Sequence, residues 1–499
     1  MELHILSYLV FSPLLGLLIL FFIPRDEKEL IKNIAFISSI IPLGLSLLLL
    51  FMFDKTNSGF QFETLVKWIS TLNINYHVGV DGISLFLILL TTLSVPIVIL
   101  SSFKYITESE KFYYMMVLFL EIAMLGTFLA LDLVLFFLFW EAMLIPMYFI
   151  IAIWGGDNKR YATFKFVIYT SIGSVLMLIG IFYVGNLAGS FSINDVYGTV
   201  FSIKEQLLLF GAFFLAFAIK VPIFPFHTWL PDAHVEAPTG GSVILAAILL
   251  KMGAYGVIRF VIPLFPNAVV LLAPLIFVLA VVGIIYAAMA SYVQKDLKRL
   301  VAYSSVSHMG LIILGLFALS SVSISGAVYQ MISHGLSTGS LFLIVGILYE
   351  RRHTRLITEY GGIASAMPMF SVFFMIASLT SIAVPFTSGF VGEFMVLFGA
   401  YSSDFLKNVY EYSQIFVYVA ASGMLFGAIY MLWAYQKVAL GPNINLENQR
   451  LFDLSLREFI VLLPYSILMI VLGIHTEFVV SRIMPSVDRI IGIFYAGLR

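Results

Sequence analysis

The chain has 499 residues, of which 61% are hydrophobic and 11% are charged, and its mean hydropathy is +1.03. Soluble domains carry about 25% charged residues, so this composition excludes a soluble fold. The net charge of −1 gives no indication of a basic nucleic-acid-binding surface, and the absence of cysteine excludes thiolate-ligated iron–sulfur clusters, disulfides and thiol catalysis.

Apolar segments long enough to cross a bilayer, about 20 residues each, follow one another from Leu3 to Val479. They predict an all-α polytopic membrane protein with about fourteen transmembrane helices. The first segment has no basic region before it and no small-residue cleavage site after it, so we interpret it as a retained span. The predicted spans are 5–23, 33–53, 83–103, 112–131, 133–154, 163–187, 206–230, 241–263, 270–292, 297–317, 322–349, 368–400, 414–437 and 458–479.

The tail from Arg482 to Arg499 mixes charged residues with Ile and Phe, which predicts that it lies along the membrane interface. Lysines and arginines concentrate in the loops after odd-numbered spans. The loops after even-numbered spans carry Lys55, Lys67, Lys204 and Lys407. The positive-inside rule therefore predicts that both termini face outward.

Prolines interrupt span 7 at Pro222 and Pro225 and span 12 at Pro385. A proline inside a helix removes a backbone hydrogen bond, so both spans should be broken helices. Because they lie five spans apart, they suggest two inverted five-helix repeats, a pattern typical of an ion pathway at mid-depth. The predicted domains are 1–111 (three helices), 112–263 and 270–437 (the repeats, each a proton half-channel) and 438–499 (the last helix and the tail).

Ionisable side chains inside the spans indicate function, because a charge at the bilayer centre costs about 2.5 to 3.5 kcal/mol on insertion scales. At 1.5 Å per residue, Glu121 and Glu141 lie roughly 13 to 15 Å deep, and Lys251 lies equally deep. The other members of this set are Lys220 and Glu393 near the two breaks, and His308 and His334 in the middle of spans 10 and 11, beside hydroxyls.

These residues predict a proton relay. Burial and an opposite charge shift the proton affinity of a carboxylate or a lysine in opposite directions, so a buried Glu and Lys that meet and separate can take up and release a proton near neutral pH. Histidine titrates there without any shift. Two static interpretations stay open: a Glu–Lys bridge that fixes helix register, in particular for Glu121, and core histidines bonded to neighbouring serines.

The stretch HTWLPDAHVE superficially suggests metal ligands, with His227, Asp232, His234 and Glu236. It lacks helical His-x-x-x-His spacing, so we interpret it as a polar loop between spans 7 and 8. The sequence has no ATP-binding or dinucleotide-binding glycine loop. The chain therefore either exchanges one ion gradient for another or is driven by redox partners.

Four stretches carry a resemblance to a known family: FFLFWEAMLIPMYFIIAIWGG, AIKVPIFPFHTWLPDAHVEAPTGGSVILAAILLKMGAYG, KDLKRLVAYSSVSHMG and YQMISHGLSTGSLFLIVG. They resemble the antiporter-like subunits of respiratory complex I, the NADH-quinone oxidoreductase. The resemblance implies a fourteen-helix fold with inverted repeats, broken helices 7 and 12, and one proton moved per turnover.

Within this family, the resemblance implies that Glu141 and Lys220 are an interacting pair and that Lys251 is the central relay. It implies that His308 and His334 continue the path and that Glu393 is the terminal group toward the outside. The related L and N subunits carry lysine at the place of Glu393, and both are expected partners.

The resemblance also implies that FMN, iron–sulfur clusters and quinone belong to partner subunits, with no cofactor or metal in this chain, and that the membrane is a bacterial inner membrane. An alternative is a subunit of a multi-subunit cation/proton antiporter or of a membrane-bound hydrogenase, where related proteins occur. The role of Glu121 stays open.

Overall fold

The computed structural model describes residues 4–409 and 413–498; Arg499, at the end of the predicted tail, lies outside them. The described chain is mostly helical. The α-helices are α1 (Ile5–Phe22), α2 (Lys28–Met52), α3 (Gly82–Ser102), α4 (Glu110–Leu129), α5 (Leu133–Ala142), α6 (Leu144–Trp154), α7 (Lys159–Ala188), α8 (Ile193–Val196), α9 (Ile203–Lys220), α10 (Trp229–Glu236), α11 (Thr239–Ile244), α12 (Leu250–Gly256), α13 (Ile262–Leu264), α14 (Pro266–Tyr292), α15 (Leu297–Phe317), α16 (Ser321–Arg352), α17 (Pro368–Ser381), α18 (Ser388–Ser402), α19 (Asp404–Val409), α20 (Ser413–Ala439), α21 (Leu446–Gln449), α22 (Leu456–Ile474) and α23 (Glu477–Gly497).

Shorter elements complete the chain. Two π-helical segments connect α11, α12 and α13 into one long helix, Thr239–Leu264. The π segments are Leu245–Leu249 and Val257–Val261, the 3₁₀ turns are Ser70–Leu72, Ile357–Glu359 and Ile363–Ser365, and the strands are β1 (Gln61–Ile69) and β2 (Ile74–Val80).

Within the described residues, twelve helices are long and apolar enough to cross a membrane, and one of these, Leu133–Trp154, comprises α5 and α6. The two predicted spans missing from this set are the proline-containing spans 7 and 12. Span 7 is divided into α9 and α10 by residues 221–228, and span 12 into α17 and α18 by residues 382–387. The polytopic helical fold and both breaks are thus confirmed. The helices break near the prolines because proline has no backbone N–H to donate the hydrogen bond that would continue each helix. The count of fourteen crossings and the inverted repeats stay predictions.

An antiparallel hairpin, β1–β2, lies between α2 and α3 and is the exception to the all-α prediction. Asn73 turns the chain with φ 53°, a left-handed conformation that asparagine tolerates. Directly after β2, the Asp81 carboxylate accepts from the backbone N–H groups of Ile83 (3.1 Å) and Ser84 (3.0 Å) and so caps α3. Apolar content separates spans from loops but does not reveal a hairpin that lies between two spans.

The C-terminal segment differs from its prediction. Span 14 was expected to reach residue 479, but α22 ends at Ile474, and α23 begins at Glu477. Helix α23 packs against the N-terminal ends of α3 and α16. The Gly82 N–H donates to Ser486 Oγ at 3.0 Å, and Ser321 Oγ donates to the Asp488 carboxylate at 2.5 Å. Its position along a membrane interface stays a prediction.

The most enclosed part of the fold is formed by two helices, Thr239–Leu264 and α16. In each, the whole of its most apolar stretch is buried inside the protein. Neither helix therefore offers that stretch to lipid. Polar side chains on these two helices can therefore bond to other protein groups. The candidate site lies on these helices.

Candidate proton path

Lys251 and His334 are in direct contact at the centre of the protein. Lys251 Nζ lies 2.7 Å from His334 Nδ1 and donates to the Ala246 carbonyl at 2.5 Å. Both side chains are buried. Ala246 belongs to the π segment Leu245–Leu249, and π turns interrupt the regular helical hydrogen-bond ladder and are frequent at functional sites. The sequence placed Lys251 at mid-depth but did not reveal the π turns around it.

His308 continues this contact toward Glu393. The rings of His334 and His308 have centroids 5.4 Å apart, and His308 Nδ1 lies 3.1 Å from Glu393 Oε1. The other ring nitrogen, Nε2, lies 3.4 Å from Ser381 Oγ. Four predicted site residues on the helix Thr239–Leu264, α16, α15 and α18 therefore form one continuous file, Lys251–His334–His308–Glu393.

A cavity of about 20 Å³ adjoins the Glu393 end of the file. Its lining includes His308, Ser381, Glu393 and Tyr430. A polar cavity of more than about 10 to 15 Å³ can hold a water molecule. The cavity can thus place one water against Glu393. Neither Ser381 nor Tyr430 was predicted, because a serine or tyrosine in an apolar span carries no local signal of what it faces.

Lys220 lies at the end of α9, where span 7 breaks. Its Nζ is 4.8 Å from the centroid of the Trp140 ring and 3.3 Å from Met143 Sδ. The break leaves helix carbonyls without their usual partners, and Trp229 Nε1 donates to one of them, that of Ile219, at 2.8 Å. The contacts of Lys220 Nζ are thus a ring face and a thioether, which are weaker partners for an ammonium than a carboxylate.

The expected partner of Lys220, Glu141, does not touch it in this structure. No ion pair joins the two side chains within the part of the chain that the structure describes. Glu141 is half-buried, and its Oε1 atom is buried with no hydrogen-bond partner among the described residues. Helix α5 ends at Ala142, directly after this residue, whereas the predicted span 5 is continuous from 133 to 154. The structure therefore brings the pair into one region but holds it separated.

Glu121 stands apart from the file. It is fully buried in α4, and neither carboxyl oxygen has a hydrogen-bond partner among the described residues. The static-bridge interpretation of Glu121 is therefore wrong for this structure, since a bridge needs a partner. Depth alone did not distinguish Glu121 from the residues of the file.

The HTWLPDAHVE stretch is helical over Trp229–Glu236, so its interpretation as a loop is wrong for these residues. Its acids bind structural partners: Asp232 pairs with Lys165 at 2.8 Å, and Glu236 Oε2 accepts from the Asn158 N–H at 3.0 Å. Among the described residues, no group of three or more His, Asp or Glu side chains is arranged to hold a metal. The apolar residues Trp229, Leu230 and Ala233 recur at the three- and four-residue spacing of one helical face, and this spacing was the available helical signal.

Helix α12 approaches the end of α9 closely at Gly253. A Cβ atom there would lie 3.0 Å from the Phe217 carbonyl oxygen and 3.0 Å from Val221 N, tighter than ordinary contact. Gly253 therefore brings the helix of Lys251 against the break that follows Lys220.

Known proteins resemble the chain over nearly its full length. The family model for NADH:quinone oxidoreductase/Mrp antiporter membrane proteins matches residues 130–410. NADH-quinone oxidoreductase subunit M of Rickettsia prowazekii is 42% identical, over 98% of this chain and 99% of its own, and that of Rhodobacter capsulatus is 40% identical, over 99% and 98%.

Two solved structures share the fold. A chain of respiratory complex I from Thermus thermophilus with bound NADH matches with a TM-score of 0.88 and 28% identity, covering 98% of this chain and 99% of its own. A chain of the Mrp complex from Dietzia sp. DQ12-45-1b matches with a TM-score of 0.84, over 99% of both chains. At 17% identity, the second likeness shows the fold alone.

Proposed function

Because the chain belongs to the family of NADH-quinone oxidoreductase subunit M, a proton-translocating membrane subunit of complex I, we propose that its protons pass along the file Lys251–His334–His308–Glu393. The observation that carries this proposal is the unbroken contact between Lys251 and His334, at 2.7 Å, and between His308 and Glu393, at 3.1 Å. Each member can bind and release a proton, and each neighbour lies within reach of the next through direct contact or one water.

Lys220 and Glu141 act as the switch at the other end. A nearby carboxylate stabilises a buried lysinium, and separation removes that stabilisation. In the separated arrangement described above, Lys220 is prepared to pass its proton toward Lys251, whose helix packs against the same break at Gly253. When Glu141 and Lys220 come together again, the carboxylate stabilises the protonated lysine, and Lys220 takes up a new proton.

Glu393 is the terminal group, and the water-sized cavity beside it receives the proton. With the lysine-rich loops in the cytoplasm, the path runs from the cytoplasm outward across a bacterial inner membrane, and both termini face outward. The chain holds no redox centre of its own. NADH oxidation and quinone reduction in other subunits drive the path, and the antiporter-like L and N subunits are its nearest partners.

The test compares substitutions at both ends of the file in assembled complex. Lys251→Ala and Glu393→Gln each remove one titratable group, and each should abolish or strongly slow proton pumping. Glu393→Asp and Glu393→Lys restore a titratable group and should retain part of it. Proton transfer is followed with a pH-sensitive dye in vesicles during NADH oxidation, after a native gel has confirmed assembly.

The matched control is Glu359→Gln, an exposed acid outside the file, which should pump like the unmodified enzyme. Pumping at the unmodified proton-to-electron ratio by assembled Lys251→Ala would remove Lys251 from the path. The same result for Glu393→Gln would return Glu393 to a structural role.

A further inference from the structure

Gln330 is a buried amide that contacts the terminal carboxyl of the file. It lies on α16 and is 3% exposed, and its Nε2 donates to Glu393 Oε1 at 3.2 Å. The same carboxyl oxygen faces His308 Nδ1. The amide oxygen of Gln330 is also buried and has no hydrogen-bond partner within the described chain. One oxygen of Glu393 is therefore held between an amide and an imidazole.

The backbone keeps this amide in place. Gly392, directly before Glu393, packs on Gln330 so closely that a Cβ atom on the glycine would lie 2.8 Å from Gln330 Cα and 2.9 Å from its Cβ. Helices α16 and α18 thus approach each other at the point where Gln330 meets Glu393. The contact follows from helix packing and does not depend on a flexible surface side chain.

We propose that Gln330 is a positioning residue of the proton path, which holds Glu393 Oε1 toward His308 and stabilises the ionised carboxylate so that the proton is released outward. The inference rests on the proposed function. In the step it assists, imidazolium His308 gives its Nδ1 proton to Glu393 Oε1 and becomes neutral, and Glu393 then gives a proton to water in the adjoining cavity.

The unpaired amide oxygen fits a second orientation of the same side chain. An amide carries a donor and an acceptor on one group. A half turn of the Gln330 amide would present its oxygen to a protonated Glu393, which then donates. Gln330 can thus bond to Glu393 in both protonation states, and its bond to the ionised carboxylate is the stronger of the two because an ionised acceptor strengthens a hydrogen bond.

Four helices present groups around the Glu393 carboxyl. They are His308 from α15, Gln330 from α16, Ser381 from α17 and Tyr430 from α20. No lysine or arginine forms an ion pair with Glu393 in the residues that the structure describes. Of these groups, the Gln330 amide is a direct neighbour that does not titrate, so its effect on Glu393 is present at every pH.

The test is the pH profile of proton pumping in assembled complex carrying Gln330→Met, which keeps the length of the side chain and removes the hydrogen bond. Loss of a donor to a carboxylate leaves the ion less stable, so Glu393 should hold its proton to higher pH. The rising part of the profile should move up by about one pH unit. Gln330→Glu, which places a second carboxyl beside Glu393, should move it in the same direction by at least as much.

Ser325→Ala is the control: it changes a buried polar side chain on the same helix that has no part in the file, and it should leave the profile unchanged. Unshifted profiles in both Gln330 variants would overturn the inference, and failure of both to assemble would assign Gln330 to packing and overturn it as well. If Glu393→Gln also pumps normally, the proposed function has failed. If Glu393→Gln is inactive and the Gln330 profiles do not move, this inference alone has failed.

Discussion

Lys251 Nζ and His334 Nδ1 lie 2.7 Å apart although the two residues are separated by 83 positions in the chain. The contact joins the two most enclosed helices of the protein. His334 Nε2 is buried and has no hydrogen-bond partner among the described residues, and the centroid of the His334 ring lies 5.4 Å from that of His308. His334 is therefore the member that connects the lysine part of the file to its carboxyl end.

Replacing His334 by Gln keeps a polar side chain but removes proton exchange. Because proton transfer through a positioned group contributes roughly a hundredfold or more, His334→Gln should lower the pumping rate by about that factor in assembled complex. The control is His353→Gln, at the exposed end of the same helix, which should pump normally. Equal rates for the two variants would show that protons bypass His334.

Lys220 should not tolerate a permanent charge. Guanidinium hardly deprotonates, so Lys220→Arg should be nearly as damaging to pumping as Lys220→Ala. Lys204→Arg, on the exposed beginning of the same helix, is the matched control and should have no effect. The measurement is the proton-to-electron ratio of each variant in vesicles. Near-normal pumping by Lys220→Arg would contradict a role of Lys220 in proton exchange.

Orientation can be tested independently of pumping. Reporter proteins fused within the loop that holds Lys295 and Arg299 should be active in the cytoplasm, and reporters fused between Asn57 and Lys67 should be active outside. The physical reason is the concentration of basic residues in loops after odd-numbered spans. The reverse pattern would invert both the topology and the direction of the path.

A buried ion pair, Arg259 with Asp81, should stabilise the opposite end of the Lys251 helix. The two side chains are in contact, and each is about 2% exposed. Removing one partner leaves the other charge buried, which typically costs about 3 to 5 kcal/mol. Arg259→Leu should therefore lower the unfolding temperature or the yield of assembled complex, measured in detergent. Arg25→Leu, at an exposed site, should change neither, and a stable Arg259→Leu protein would show that the pair is dispensable.

The ends of most helices could be predicted from local pattern, because apolar run length and proline act within a few residues. Spans 7 and 12 break next to the predicted prolines, and span 10 has the predicted bounds. The break after Glu141, the π turns beside Lys251 and the helix α23 were missed. Each depends on how neighbouring helices pack, which apolar content does not record.

The sequence by itself determined that the protein is a helical membrane protein and which ionisable side chains lie inside the apolar segments, because the cost of placing polar groups in an apolar medium keeps them rare there. Only the tertiary structure decided which of those side chains meet. His308 and Glu393 are 85 positions apart and in contact, whereas Glu121, at the predicted depth, has no partner in the described chain. The difference arises because contact between distant helices depends on their rotation and close packing, which are set by side chains from the whole bundle.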